Sequence, residues 1–433
     1  MEMRNDGTAI FTDDMRATHT ILIPNMLPMH FKMLCRIFDQ YGYRCELLET
    51  TGRNIVDCGL KYVHNDTCYP ALLVIGQFID ALQSGKYDTH KTALMLTQTG
   101  GGCRASNYIY LLRKALVKAG FGYVPVISMN FSGLKDNPGL DFTPAMVLRM
   151  VYAVLYGDLL MLLRNQCRPY EIEAGASERL AEAWTERLTD DMRRGRGMSA
   201  AAARRNYRRI LADFEALPRK KEEKVKVGIV GEIFVKFSPL GNNHLEDFLV
   251  SEGAEPRMPG LLDFCLYSCY DGIMDHELYD TSFLAVTVYR VVFRILLKKQ
   301  KEMIRAIRKY STFEPPTPFG HAIERAREYI GLGAKMGEGW LLPAEMLELI
   351  DSGVPNIVCT QPFGCLPNHV FGKGMMKPLK AKNGEANIVA IDYDPGATRI
   401  NQENRIKLML ANARRESEGA PLPLSVEEEA AVR

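Results

Sequence analysis

The chain has 433 residues, 47% of them hydrophobic and 24% charged, which excludes a disordered or fibrous protein and leaves room for about three domains. Lys+Arg 54 against Asp+Glu 52 gives a net charge of +2, so the global electrostatics make no case for nucleic acid or an anionic membrane. The most apolar window, Ala145 to Leu163, carries Arg149 and Asp158, and no membrane span is expected there. The first residues lack the basic-then-apolar layout of a signal peptide. The expected location is therefore the cytoplasm, where ten cysteines read as thiols or metal ligands rather than disulfides.

Thr20 to Ile23 reads as a strand, Pro28 to Tyr41 as a helix and Cys45 to Leu48 as a second strand. Ala71 to Leu82 is helical, Thr92 to Thr97 a strand, Ser106 to Ala119 helical and Val124 to Ile127 a strand. Strands separated by helices of this length predict a mostly parallel sheet covered on both faces. Residues 18–139 thus form a first α/β domain. Thr143-Pro144 offers an N-cap and a proline at the first helical position. From there to Ala216 the pattern is helical with no strand, and residues 140–224 make a helical region that ends in a charged linker, Pro218 to Lys224. Its arginines, among them Arg193, Arg194, Arg196, Arg204 and Arg208, read as a solvated or docking face in preference to a phosphate site.

Val225 to Val230 opens a second α/β domain, residues 225–415. Asn243 can cap the helix that follows, and Gly253 can end it. A long helix is expected from Ser282 to Tyr310, broken by the Pro315–Pro318 segment, and another from Pro343 to Ile350. Asn356 to Thr360 and Asn387 to Ile391 are buried-strand candidates. The tail, residues 416–433, is acidic and rich in small residues, and disorder is expected there.

No Cys-x-x-Cys occurs anywhere, which argues against a thioredoxin site, a zinc ribbon and a bacterial ferredoxin run. Cys103 follows Gly100, Gly101 and Gly102 at a strand-to-helix turn. The glycines let the backbone pass close to a bulky group, and the helix N-terminus favours a thiolate or a thiolate-bound cluster. Cys68 precedes Pro70 at the start of another helix, in the same electrostatic setting. Cys359 ends a strand, and Cys365 sits in the Pro/Gly-rich loop after it. A buried structural thiol is the competing reading at each position. Cys265 and Cys269, spaced to share one helical face, and Cys35, Cys45, Cys58 and Cys167 read as structural.

Three or four of the singled-out cysteines fall at carboxyl ends of strands or at helix starts, the edge where open α/β sheets bind ligands. Soft thiolates there suit an iron–sulfur cluster first and zinc second. Gly100 to Ala105 also fits the dinucleotide fingerprint, but the next acidic residue, Asp136, lies beyond the following strand, and a cysteine in the turn would crowd a pyrophosphate. No P-loop is present, so ATP use would need a partner chain.

The stretches 59–70, 98–108, 228–243, 361–369 and 391–394 carry a resemblance. The chain resembles the C-terminal module of CoA-substrate-specific activase-related proteins, in the superfamily of 2-hydroxyacyl-CoA dehydratases, benzoyl-CoA reductases and double-cubane cluster proteins. The resemblance implies two flavodoxin-like parallel-sheet domains with intervening helices, often as a homodimer. It also implies an iron–sulfur cluster, of double-cubane or four-iron four-sulfur type, fed by an ATP-hydrolysing iron–sulfur activase. Carried over by motif, Cys68, Cys103 and Cys359 are the expected ligands, with Cys365 next. The expected function is a reductase of a small substrate, with no nucleic-acid or membrane partner. His369, His64 and Tyr69 would supply protons, and Gln98 and Gln361 would hydrogen-bond cluster sulfurs or a ligand. The alternatives are a 2-hydroxyacyl-CoA dehydratase or acyl-CoA reductase subunit, a non-enzymatic cluster carrier or scaffold, and a structural zinc site.

Overall fold

A computed structural model of the chain describes residues 3, 7–64, 66–97, 102–128 and 137–417. Residues 418–433 of the expected tail lie outside the described residues, while 416 and 417 end the last helix. A short helix, α1 (Met15–Thr18), leads into β1 (Thr20–Pro24), α2 (Pro28–Gln40), β2 (Arg44–Leu48), α3 (Arg53–Tyr62), α4 (Tyr69–Gln83), β3 (Thr92–Leu96), α5 (Tyr108–Ala119) and β4 (Val126–Ser128). The four strands form one all-parallel sheet in the order β2-β1-β3-β4. β3 is buried at every position, as a strand covered on both faces must be. The pleat sends Leu22 and Leu94 into one core and Ile21, Ala93 and Met95 into another.

Three helices follow: α6 (Pro144–Cys167), α7 (Ala176–Arg193) and α8 (Ala200–Glu215). The Thr143 side chain accepts from the Met146 N–H, and Pro144 opens α6, as the cap signal predicts. By length and composition the stretch 144–170 could cross a membrane, but 61% of its apolar window is buried inside the protein.

The second half contains β5 (Lys226–Gly231), α9 (Ile233–Phe237), α10 (Pro239–Asn242), α11 (Leu245–Ser251), β6 (Glu255–Arg257), α12 (Leu261–Tyr279), α13 (Phe283–Tyr310), α14 (Phe319–Arg327), α15 (Leu341–Asp351), β7 (Asn356–Pro362), α16 (Met376–Lys382), β8 (Asn387–Tyr393) and α17 (Arg399–Ser417). Its sheet is again all parallel, in the order β6-β5-β7-β8. The molecule is thus an α/β protein with two four-stranded parallel sheets and helices between and around them. The cap after β5 differs from expectation. Asn243 sits at φ +56 as the C-cap of α10, and Asn242 Oδ1 accepts the Leu245 N–H instead. Gly253, at φ +75, follows α11 as expected.

The two sheets turn their carboxyl ends toward each other. Loops that leave those ends touch across the gap. The Tyr69 N–H donates to the Phe363 carbonyl at 2.9 Å, Ser238 Oγ to the Asn25 carbonyl at 3.4 Å, and Arg53 Nη1 to the Pro395 carbonyl at 2.7 Å. One core runs from Leu22, Leu94 and Leu96 of the first sheet to Val227, Ile229 and Val358 of the second.

Candidate metal centre

Three cysteines lie on turns that approach one another between the facing edges. Cys68 is the N-cap of α4, with Pro70 behind it in the first turn. Cys103 caps a 3₁₀ turn, Arg104–Asn107, that leads into α5, and its Sγ accepts the Ala105 N–H at 3.5 Å. Cys365 lies in the turn after β7 and is 6% exposed. Gly364, at φ +73, brings that turn so close that a Cβ on it would sit 3.1 Å from the Cys68 Cα. Gly337, at φ +61, lies between Cys103 and the turn that carries Cys365: its Cβ would be 3.0 Å from Pro367 and 3.7 Å from Cys103 Sγ. Met336 completes the approach, its Sδ accepting the Gly102 N–H at 3.1 Å. Tyr267 on α12 holds this loop by donating to the Lys335 and Gly337 carbonyls at 3.0 and 2.9 Å.

The electrostatics run against the expectation from helix N-termini. Burial, the largest cause, lifts the Cys68 thiol to about 11, although the Tyr108 hydroxyl 3.0 Å from its sulfur works the other way. Burial also raises Cys103, with Glu338 and Glu232 adding to it. Burial and the same two carboxylates raise Cys365. Desolvation and neighbouring carboxyls outweigh the helix dipoles here. Glu232 follows β5, caps α9 through the Val235 N–H at 2.9 Å and is itself raised by burial and by Glu338. Glu338 accepts the Ile233 N–H at 2.9 Å and is raised by burial. Near neutral pH the Cys68 thiol, at about 11, and the Glu232 carboxyl, pushed up to about 8, hold their protons.

Beside the thiols an apolar cavity of about 110 Å³ opens at the carboxyl ends of β1 and β3. Ile23, Met26, Phe31, Phe38 and Met95 line it, and Tyr108 and Glu232 are its polar groups nearest the cysteines.

The other expected site residues are placed as follows. Cys359 lies on the opposite side of β7. The two-residue pleat puts it with Ile357 in the core behind the second sheet, where its Sγ is 3.7 Å from Asn368 Oδ1. Its charged neighbours are Glu345, Asp392 and Lys373, and burial raises its thiol to about 12. It is not gathered with the other three. Gln361 shares that side of the strand by the pleat and is fully buried, with neither amide atom partnered. His64 is exposed and turned to Asp66 at 3.3 Å. His369 is exposed, and its backbone N–H donates to the Cys365 carbonyl. The Tyr69 side chain lines a separate cleft with Arg53 and Asp394. Gly102 touches Met336, while Gln98, Gly100 and Gly101 lie outside the described residues.

Sequence reasoning missed Glu232, Glu338, Tyr108 and the loop around Gly337. Glu232 could have been found from its place directly after a buried strand, the same edge that drew attention to the cysteines. Among the described residues no three His, Cys, Asp or Glu side chains converge on one point that a single ion could occupy. Three soft sulfurs on neighbouring turns are the donor type of a polynuclear group in preference to a single ion. No protein-family model matches the chain, and no curated protein matches it.

Proposed function

We propose that the protein is a cytoplasmic iron–sulfur reductase that takes low-potential electrons from a separate ATP-hydrolysing activase and reduces a small substrate. One observation carries this reading: Cys68, Cys103 and Cys365 lie on three separate turns that pack against one another at the facing sheet edges, near an apolar cavity. Cys68, Cys103 and Cys365 are the ligands in this reading, and Cys359 is not. Three thiols suit a single four-iron cluster, since a double-cubane group needs more sulfur ligands than this place supplies. A cluster held there would supply electrons one at a time.

The chain's own residues bind, orient and hold protons. Glu232 carries a proton on the cavity wall because burial and Glu338 oppose its ionisation. Tyr108 fixes the direction of the Cys68 sulfur through their 3.0 Å contact. Met95, Phe31 and Phe38 keep water from the cavity, where it would compete for electrons. The two loop glycines let the second half close on the first without side chains between them.

Iron, acid-labile sulfide and zinc per chain, measured after anaerobic purification, test the reading. About four irons with matching sulfide are expected, and about eight would favour the double-cubane type. Roughly one zinc with no sulfide would overturn it.

A further inference from the structure

A further cleft, of about 380 Å³, shares no lining residue with the cavity beside the thiols. It is enclosed by α6, the end of β6, α12, the proline segment before α14, and α15. Leu162, Met258, Pro316, Leu349 and Val354 give it apolar walls. Two carboxyls also line it, Asp263 of α12 and Glu348 of α15, and each residue is only 7% exposed.

These carboxyls belong to a buried group whose charges do not balance. Asp158 lies 2.8 Å from His30 Nε2 and accepts the Leu261 and Leu262 N–H groups, each at 2.8 Å. Glu345 pairs with Lys236 at 2.8 Å. Asp351 is held by His321 and Arg325 at 2.7 and 2.8 Å. Each of these cations is therefore engaged. In the lining, Arg257 is committed to Glu314 at 2.8 Å and to Glu255, and Arg308 is exposed. Asp263 is left with an uncharged partner, the Gln300 side-chain amide, which donates at 2.7 Å. Glu348, one helical turn beyond Glu345, has no ion pair and no hydrogen bond to its carboxyl among the described residues. A buried carboxyl in that position either keeps its proton or takes a counter-charge from outside. Burial, then Asp158 and Glu345, push Asp263 up to about 8. Burial, then Asp263 and Glu345, raise Glu348 well above the usual range.

We propose that this cleft binds a small primary aliphatic amine, with its ammonium against the Asp263 and Glu348 carboxyls and its stem along the apolar walls. An ammonium brings up to three N–H donors to oxygens that lack them, and the positive charge that the buried group lacks. Other occupants fit less well. A quaternary ammonium is held by aromatic faces, and no aromatic residue is among those lining the cleft. A hard metal ion takes about six oxygens, and among the described residues no three acidic, His or Cys side chains converge. The amides of the lining are already used, Asn165 by Glu246 and Gln166 by the Glu314 backbone. An anion would meet two carboxyls.

Isothermal titration calorimetry of the full chain, purified anaerobically, tests the proposal with n-hexylamine, 1-hexanol and tetramethylammonium as probes. Hexylamine is expected to bind with a submillimolar Kd, and the other two about tenfold more weakly or worse. Glu348→Gln and Asp263→Asn are each expected to weaken hexylamine by about tenfold or more while keeping wild-type iron. Because the ammonium displaces carboxyl protons, its affinity should rise between pH 5 and pH 7, by up to about tenfold per unit. Hexanol bound as tightly as hexylamine, variants that bind like the wild type, or a flat pH profile would each overturn the proposal. The tripeptide Gly-Lys-Gly separates a free amine from a lysine of another protein: binding about tenfold tighter than that of hexylamine would overturn the free amine as occupant. Should a variant fail to fold, the comparison of hexylamine with hexanol on the wild type decides, and no measurable hexylamine binding sinks the idea.

Discussion

The two sheets are wound in the same order and meet edge to edge, yet they bring different chemistry to the meeting. The first edge brings two thiols, Cys68 and Cys103, each where a helical turn begins. The second brings one thiol, Cys365, together with the carboxyls of Glu232 and Glu338. A shared topology therefore fixes where a site forms and leaves its chemistry to the loops. The difference also explains why helix N-termini fail to acidify the thiols: the first edge offers partial positive charge, and the second closes over it and takes the sulfurs out of water, which raises them by more.

The sharpest way to break this comparison is to remove sulfurs one at a time. Cys103→Ser and Cys365→Ser are each expected to cost most of the bound iron, read as iron and sulfide per chain. Cys359→Ser is expected to keep wild-type iron while losing about 1–3 kcal/mol of stability, because a hydroxyl replaces a thiol in an apolar core. Iron loss in the Cys359 variant equal to that in the Cys103 variant would return it to the ligand set.

A second effect concerns reactivity in the metal-free protein. With its thiol raised to about 11 from an ordinary 9.0, Cys68 holds roughly a hundredfold less thiolate than a free cysteine at pH 8. Its alkylation, followed by peptide mass spectrometry, should therefore lag far behind an unperturbed thiol and speed up about tenfold per pH unit. A rapid reaction at pH 7 would mean that the helix dipole wins after all.

The carboxyl edge gives a smaller, pH-dependent effect. Burial and Glu338 raise Glu232, so the folded protein binds its proton more tightly than the unfolded chain does. Its contribution to stability is complete below the unfolded value, near 4.3, and is lost as pH rises through the folded one. Glu232→Gln should thus stabilise the metal-free protein by on the order of 1 kcal/mol at pH 8 and by nothing at pH 4. Urea unfolding at both values checks the sign. The smallest effect is expected of Tyr108→Phe, which removes a single hydroxyl contact worth about 1 kcal/mol and slows Cys68 alkylation further.

Much of the fold was legible because its signals are local. Thr143-Pro144 and the Cys68-Tyr69-Pro70 start announce helices whatever surrounds them. Uniformly apolar runs such as Thr92 to Leu96 announce buried strands. β6 was not legible, since three residues including Pro256 make no pattern. α12 was missed as an element because its apolar residues are spread around it rather than on one stripe. In the site, the cysteines were found by their turns, but strand direction was needed to part Cys359 from Cys365. Period-two alternation along β7 carries that information only once the covered face is known. Glu338 and Gly337 lie in a loop whose approach to Cys103 is purely tertiary, so no spacing could reveal it.

The split between the two edges has a consequence for how the protein is made. Cys68 and Cys103 leave the ribosome long before Cys365 does, and the first sheet can close as soon as β4 is complete. Through the synthesis of the whole helical region and most of the second half, a nascent chain carries two unmatched sulfurs at an open edge. The pocket exists only when the turn after β7 docks. A group that needs all three thiols can therefore enter only after that docking, and oxidants have their best access to these thiols while translation is still under way.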